Sequence, residues 1–353
     1  MIKITKNIKF DYNEAPKIIA EISGNHCGNK KTFLNLIKSA CVNGADLIKI
    51  QTYEPKDITL NQSYGKFVIK HGIWRNKKLW DLYKKACTPF SWHFDAFELA
   101  KKYKKLIFSS PFSIRAVDHL ESLNCKIYKI ASFEITDLKL INYIASKKKP
   151  IIISTGMATF KEINRAVKEI TKFHKKIIIL HCISSYPTPL NKINLQRINF
   201  LKKKFKKYDI GLSDHTNNIY SSIAATQHGI VAIEKHFKLN NKTISADSSF
   251  SIIPEQLKNL KKITLELHES KRKNKNIEKI SRNLRRSIFT TKTIKKNFKI
   301  TKDNIDTFRP NIGICASDYF KILGKRLKLN NKMISDPSKK ISSGDVIENL
   351  HRC

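Results

Sequence analysis

The chain has 353 residues, 41% of them hydrophobic, with 68 Lys and Arg against 29 Asp and Glu and a formal net charge of +39. That length exceeds one typical domain, and the apolar content is ample for a sizeable core plus a small second domain. No apolar stretch is long enough to span a bilayer, and residues 1–10 lack a signal-peptide core, so a cytoplasmic protein that does not engage a membrane is expected.

Short apolar runs alternate with amphipathic helical stretches in chain order. The runs are Lys17–Ser23, Asp46–Thr52, Leu106–Ser110, Lys126–Ser132, Pro150–Thr155, Ile177–Ile183, Asp209–Asp214 and Val231–Phe237. Eight strands with intervening helices predict an α/β fold, a (β/α)8 TIM barrel. Residues 53–92 exceed a normal βα connection and read as an insertion over the active-site end. Pro254 opens a helix that runs to Lys271, the polar stretch Arg272–Arg282 reads as linker, and from Ser287 the pattern changes to short strands and turns. The expected division is a catalytic barrel over 1–271, a linker over 272–286 and a small C-terminal domain over 287–353.

Polar residues fall at the carboxyl ends of the predicted strands, where barrel chemistry belongs. They are Glu21, Asn25 and His26; Lys49 and Gln51; Ser109 and Ser110; Lys129, Ser132 and Glu134; Ser154 and Thr155; Ser184 and Tyr186; Asp214 and His215; and Lys235 and His236. Neighbouring parallel strands lie ~4.8 Å apart, so His215 and His236 are expected to share one metal ion. Closure of the barrel brings strand eight against strand one and Glu21 near that pair, where a carboxylate fits metal or proton-transfer work. Lys49 and Gln51 share a strand face, and an inward Lys is costly to bury unless an anion meets it. With Lys129, Ser132, Ser154 and the backbone amides near Gly156, these residues predict a pocket for a phosphate or carboxylate. His93, His119, His181 and His228 read as structural.

The positive charge is spread along nearly every helix without regularly interleaved aromatics, which predicts solvated helix faces and no nucleic-acid partner. An acidic small substrate would still be drawn in by such a field. The seven cysteines are scattered and include no Cys-x-x-Cys pair, so free thiols are expected rather than a disulfide framework or a thiolate zinc site. No Walker loop or dinucleotide fingerprint is present.

Eight ordered segments carry a family resemblance: Ala20–His26, Lys49-Ile-Gln51, Ser110-Pro-Phe-Ser113, Tyr128–Ser132, Ser154-Thr-Gly-Met157, His181–Pro187, Leu212-Ser-Asp-His215 and Glu234-Lys-His-Phe237. Together they resemble the nonulosonic (sialic) acid synthase family. The tail, with Phe308-Arg-Pro310 and Ile322-Leu-Gly-Lys325, is similar to that family's antifreeze-like (SAF) domain, although Asn311 and Lys296-Asn297-Phe298 depart from its usual glycines.

The resemblance implies condensation of phosphoenolpyruvate with the open-chain aldehyde of an N-acylated amino sugar, a divalent metal (Mn2+, with Mg2+ or Co2+ as alternatives) and release of phosphate. It implies that His215 and His236 hold the metal and that Lys49, Lys129, Ser132 and Ser154 grip phosphate and carboxylate. Gln51, Glu134, Tyr186 and Asp247 would orient the sugar, and Glu21 would position or deprotonate the water. Ser110, Ser184 and Ser213 of the same motifs join the substrate-binding set. Arg309 would reach a partner's barrel in a domain-swapped homodimer. Asp247-Ser-Ser-Phe-Ser251 and Ser184 resemble the pseudaminic acid branch, whose sugar is a 2,4-diacetamido-2,4,6-trideoxy hexose of altrose type. N-acetylneuraminate or legionaminic acid synthesis is the alternative, and a basic nucleic-acid-binding protein is the alternative of another class.

Overall fold

The computed structural model describes residues 1–6, 8–271, 277–292 and 297–326. Two compact units divide the chain, Met1–Lys271 and Arg272–Cys353.

The first unit opens with an antiparallel pair that the sequence pattern did not announce, β1 (Ile2–Lys3) and β2 (Lys9–Phe10). Eight parallel strands follow: β3 (Lys17–Glu21), β4 (Leu47–Thr52), β5 (Leu106–Pro111), β6 (Tyr128–Ile130), β7 (Ile151–Ser154), β8 (Ile177–Cys182), β9 (Asp209–Asp214) and β10 (Ala232–His236). They close into a barrel in chain order, with β10 pairing β3. All eight expected runs form strands: Asp209–Asp214 keeps its bounds, Leu106–Ser110 gains Pro111, and the other six are trimmed at one or both ends. Runs such as Ile151-Ile-Ile are apolar on both faces because one face packs into the barrel and the other against the outer helices. β6 is the shortest of the eight because Ser132–Glu134 turns into a single 3-10 turn.

Outside the strands run α1 (Lys30–Val42), α2 (Pro55–Ile58), α3 (Leu79–Ala86), α4 (His93–Lys102), α5 (Ile114–Ser122), α6 (Leu138–Ser146), α7 (Phe160–Thr171), α8 (Gln196–Lys204), α9 (Tyr220–Ala225) and α10 (Pro254–Ser270). Their starts follow local chemistry. Asn29, Ser113 and Asp137 each accept a backbone N–H of the first turn, and Thr159 with Glu162 forms a capping box on α7. The insertion carries α2 and α3, and the Trp74 indole N–H donates to the Ala246 carbonyl at 3.0 Å, tying the insertion to the loop after β10.

In the second unit, the stretch expected to be plain linker holds α11 (Ile277–Ser281) and a 3-10 turn at Arg282–Leu284. β11 (Ser287–Thr290) pairs antiparallel with β12 (Ile305–Phe308), and α12 (Tyr319–Ile322) follows. A small core of Ile288, Ile300, Ile305, Ile314 and Ile322 holds them together. The Arg309–Pro310 peptide is cis. Cys27, Cys41, Cys87, Cys125 and Cys182 are free thiols, while Cys315 is disulfide-bonded, a departure from the expectation of free thiols throughout. Residues 272–276, 293–296 and 327–353 of the expected linker and small domain, Lys296 included, lie outside the described residues.

Candidate active site

Strand alternation turns Glu21, Lys49, Lys129, Ser213, Glu234 and His236 toward the barrel interior at its carboxyl end, where the two lysines, the two glutamates and Ser213 form one ion cluster. Lys49 Nζ lies 2.5 Å from Glu21 and 3.4 Å from Glu234. Lys129 Nζ donates to both oxygens of Glu234, at 2.9 and 3.0 Å, and the Ser213 hydroxyl donates to the same carboxylate at 3.2 Å. The anion that a buried lysine requires is thus supplied within the chain itself, in advance of any ligand.

The electrostatics follow from that balance. Burial would raise Glu234, but Lys129 and Lys49 outweigh it and hold the carboxyl at about 2. Burial raises Glu21, opposed by Lys49 and reinforced by Glu234. Burial lowers Lys129, against the pull of Glu234, whereas Lys49 sits between two carboxylates that overcome its burial and raise it.

A second chain of bonds leads from the cluster to the loop after β10. The Gln51 amide donates to Glu21 at 3.1 Å and to the Ser23 hydroxyl at 3.0 Å. Ser23 in turn donates to Asp247, which also accepts the Gly24 N–H at 3.2 Å. Burial raises Asp247 despite these donors. Burial also lifts Glu134 to about 7, and its Oε2 is buried without a hydrogen-bond partner.

His215 and His236 sit at the ends of neighbouring strands with ring centroids 5.3 Å apart. Tyr186 packs on His215 at 4.5 Å and Phe250 on His236 at 4.8 Å. His215 Nδ1 lies 3.0 Å from the Ile183 carbonyl, which only accepts, so Nδ1 carries a proton and Nε2 is the nitrogen that holds the lone pair when the ring is neutral. His236 Nδ1 is buried with no partner. Burial, then His215 and the lysines, push His236 well below the usual histidine range, so it is neutral. At His215 burial works in the same direction, but the Cys182 thiol and Glu234 prevail and raise it. Among the described residues, no group of three or more His, Cys, Asp or Glu stands ready to hold a metal.

These residues surround a cavity of about 570 Å³, roofed by Trp74, Leu79 and Tyr83 of the insertion. Lys49, Gln51, Lys129, Ser132, Glu134, Ser154, Tyr186, Ser213, His215, His236 and Asp247 all line it. Glu21 does not; it lies beside Lys49, its register partner on the neighbouring strand, and is fully buried. Ser110 and Ser184 are also outside the wall, and their hydroxyls, like that of Ser154, are buried without partners. Arg309 belongs to the second unit. Helix capping does not account for Ser132, Ser154 or Ser184, since Asp137 and Thr159 cap the helices after β6 and β7 and no side-chain cap opens α8.

Ser132 Oγ instead accepts the Gly156 N–H at 3.0 Å. A Cβ at Gly156 would stand 1.9 Å from Ser184 Oγ and 2.8 Å from Ser132 Oγ, so only glycine lets the backbone approach these hydroxyls.

Sequence reasoning assigned no role to Glu234, Ser23, Cys182, Trp74 or Phe250, all of which line the cavity. Glu234 was findable, because it stands two residues before His236 on one strand and so shares its face. Asp214 and Lys235, grouped with the strand-end candidates, do not line the cavity. His26 and His93 are tied to Thr88 and Thr52, and His181 to the Ile193 carbonyl, in structural roles.

The model of the NeuB family matches residues 36–276. The chain belongs to the NeuB family. It is 41% identical to the pseudaminic acid synthase of Helicobacter pylori, over 92% of this chain and 98% of that protein. It is 35% identical to the N,N'-diacetyllegionaminic acid synthase of Campylobacter jejuni, over 89% and 96%. Among solved structures, the N-acetylneuraminic acid synthetase of Leptospira borgpetersenii in complex with citrate superposes with a TM-score of 0.71 at 29% identity, covering 78% of this chain and 94% of that one. The expectations of family and of a closed parallel barrel hold together in these findings.

Proposed function

We propose that the protein condenses phosphoenolpyruvate with the open-chain aldehyde of a 2,4-diacetamido-2,4,6-trideoxy hexose of altrose type, forming pseudaminic acid and releasing phosphate. The observation that carries this reading is one cavity holding both buried lysines, the serine hydroxyls and the histidine pair, in a NeuB-family chain 41% identical to a pseudaminic acid synthase over nearly its whole length.

The anion would enter where Lys49 and Lys129 share their charge with Glu21 and Glu234, and the hydroxyls of Ser132, Ser154 and Ser213 would donate to its remaining oxygens. Ser110 and Ser184, behind the wall, would support these serines. Tyr186 and Phe250 form an apolar flank for the sugar, while Gln51, Glu134 and Asp247 offer it hydrogen bonds. Glu21, buried behind the wall and joined to Gln51, would help position the attacking water through that amide.

His215 and His236 fit a divalent cation as a two-ligand site, because the His215 Nδ1 proton on the Ile183 carbonyl leaves Nε2 to ligate once the ring is neutral, and His236 is a neutral imidazole with a buried unpartnered nitrogen. Such an ion, Mn2+ or alternatively Mg2+ or Co2+, would polarise the sugar aldehyde. Arg309 would act across a domain-swapped homodimer, in keeping with a barrel domain over 1–271, a linker over 272–286 and an antiparallel-strand SAF domain over 287–353. No described helix is long and apolar enough to cross a membrane, consistent with work on soluble substrates in the cytoplasm.

Phosphate release from phosphoenolpyruvate, assayed against a panel of sugars, tests the proposal. The altrose-type sugar is expected to be used at least ~100-fold more efficiently than N-acetylmannosamine, since unmatched hydrogen-bonding groups carry that scale of discrimination. A preference for N-acetylmannosamine overturns the assignment of sugar, and no release with any of them overturns the reaction.

A further inference from the structure

Alternation along β9 and β10 that turns Ser213, His215, Glu234 and His236 into the cavity turns Asp214 and Lys235 away from it, into the layer between barrel and helices. Both are 0% exposed, an expensive place for two charges. They are direct register partners, with Lys235 Nζ 3.2 Å from Asp214 Oδ2.

Their remaining bonds converge on one residue. Asp214 Oδ1 accepts the Thr216 N–H at 2.8 Å, and Lys235 Nζ donates to the Thr216 carbonyl at 2.5 Å and to its hydroxyl at 3.2 Å. Ser221 and Ser222 of α9 donate at 2.7 and 2.6 Å to Asp214 Oδ2, the same oxygen that faces Lys235, and fix the carboxylate from the helical layer. Thr216 follows His215 directly and Lys235 precedes His236 directly. The residue after His215 is therefore gripped from two strands, its N–H by Asp214 on β9 and its carbonyl and hydroxyl by Lys235 on β10, the strand that carries His236.

We propose that Asp214 and Lys235 are positioning residues, a clamp that sets His215 against His236 and so determines how tightly the pair takes a divalent cation. This rests on the reading of the two histidines as metal ligands. A pair that served stability alone would leave the cation affinity of the folded protein unchanged when replaced.

The test is Mn2+ binding to the chelator-treated full-length protein without substrates, read from the electron paramagnetic resonance signal of free Mn2+. His236→Ala comes first: if it binds like the unsubstituted protein, the histidine reading fails, and the clamp with it. With His236→Ala impaired, folded Asp214→Asn and Lys235→Met are expected to bind about 10–100-fold more weakly, the range for partners that orient metal ligands. Undiminished affinity in either folded variant overturns the clamp. Should neither fold, the Ser221→Ala/Ser222→Ala protein keeps both charges but loses the α9 bonds to Asp214. It is expected to bind Mn2+ at least several-fold more weakly, and unchanged affinity there overturns the proposal.

Discussion

Replacing Lys129 by Met separates what the buried ion cluster does for stability from what it does for the ligand. Lys129 donates twice to Glu234, and its loss leaves that carboxylate buried with Lys49 at 3.4 Å as its remaining cation. Removing one partner of a buried pair costs about 3–5 kcal/mol, and the residual contact with Lys49 puts this case at the low end. The net effect of all the groups around Glu234 is of the same order. Lowering Glu234 from 4.5 to about 2 corresponds to about 3 kcal/mol at neutral pH. Because the folded value is depressed, that contribution is complete above the unfolded value and is lost as pH falls toward the folded one. For a unit of this size each kcal/mol moves the midpoint by about 2–4 °C, so Lys129→Met should melt roughly 6–12 °C lower at pH 7 by scanning calorimetry. The deficit should shrink toward pH 4, where protonation relieves the stranded carboxylate.

Adding Glu234→Gln removes the stranded charge and should recover more than half of the lost stability. It should not recover phosphoenolpyruvate use, with kcat/KM staying at least ~100-fold down in both variants, equivalent to about 2.7 kcal/mol of transition-state stabilisation. A Lys129→Met protein as stable as its parent at pH 7 would refute the energetic account of the pair, and normal phosphoenolpyruvate use in either variant would refute its role in anion binding.

Gly156→Ala should raise KM for phosphoenolpyruvate at least ~10-fold, because a methyl placed 1.9 Å from Ser184 Oγ must displace the serines at an overpacking cost of about 1–3 kcal/mol. Steady-state kinetics with an unchanged KM would discount the serine cradle. The sugar's kcat/KM should climb with pH through about 7 as Glu134 ionises to an acceptor, and Glu134→Gln should flatten that limb. A limb that persists in the variant assigns the titration elsewhere. Co-expressed His215→Ala and Arg309→Ala chains, each inactive alone, should regain about a quarter of the sites after random pairing if Arg309 acts in trans. Purified mixed dimers without activity would dismiss the swapped arrangement.

The sequence by itself determined the barrel and the level at which its chemistry sits. Eight apolar runs separated by capped helices leave few other closures, and polar residues gathered at strand ends mark the carboxyl rim because side chains alternate with a period of two. The same alternation placed Lys49 beside Gln51. Applied to Glu234 and His236 it would also have exposed the carboxylate that went unassigned. Only tertiary structure decided which charge meets which. Lys129 on β6 and Glu234 on β10 are 105 residues apart in the chain, and they meet across the barrel interior when it closes, a distance no local pattern encodes. Likewise Trp74 reaches Ala246 through an insertion without strong periodicity, and Asp214 and Lys235, outwardly similar to the rim residues beside them, turn into the helical layer. Pattern gives a side chain its face, whereas burial and closure give it its partner.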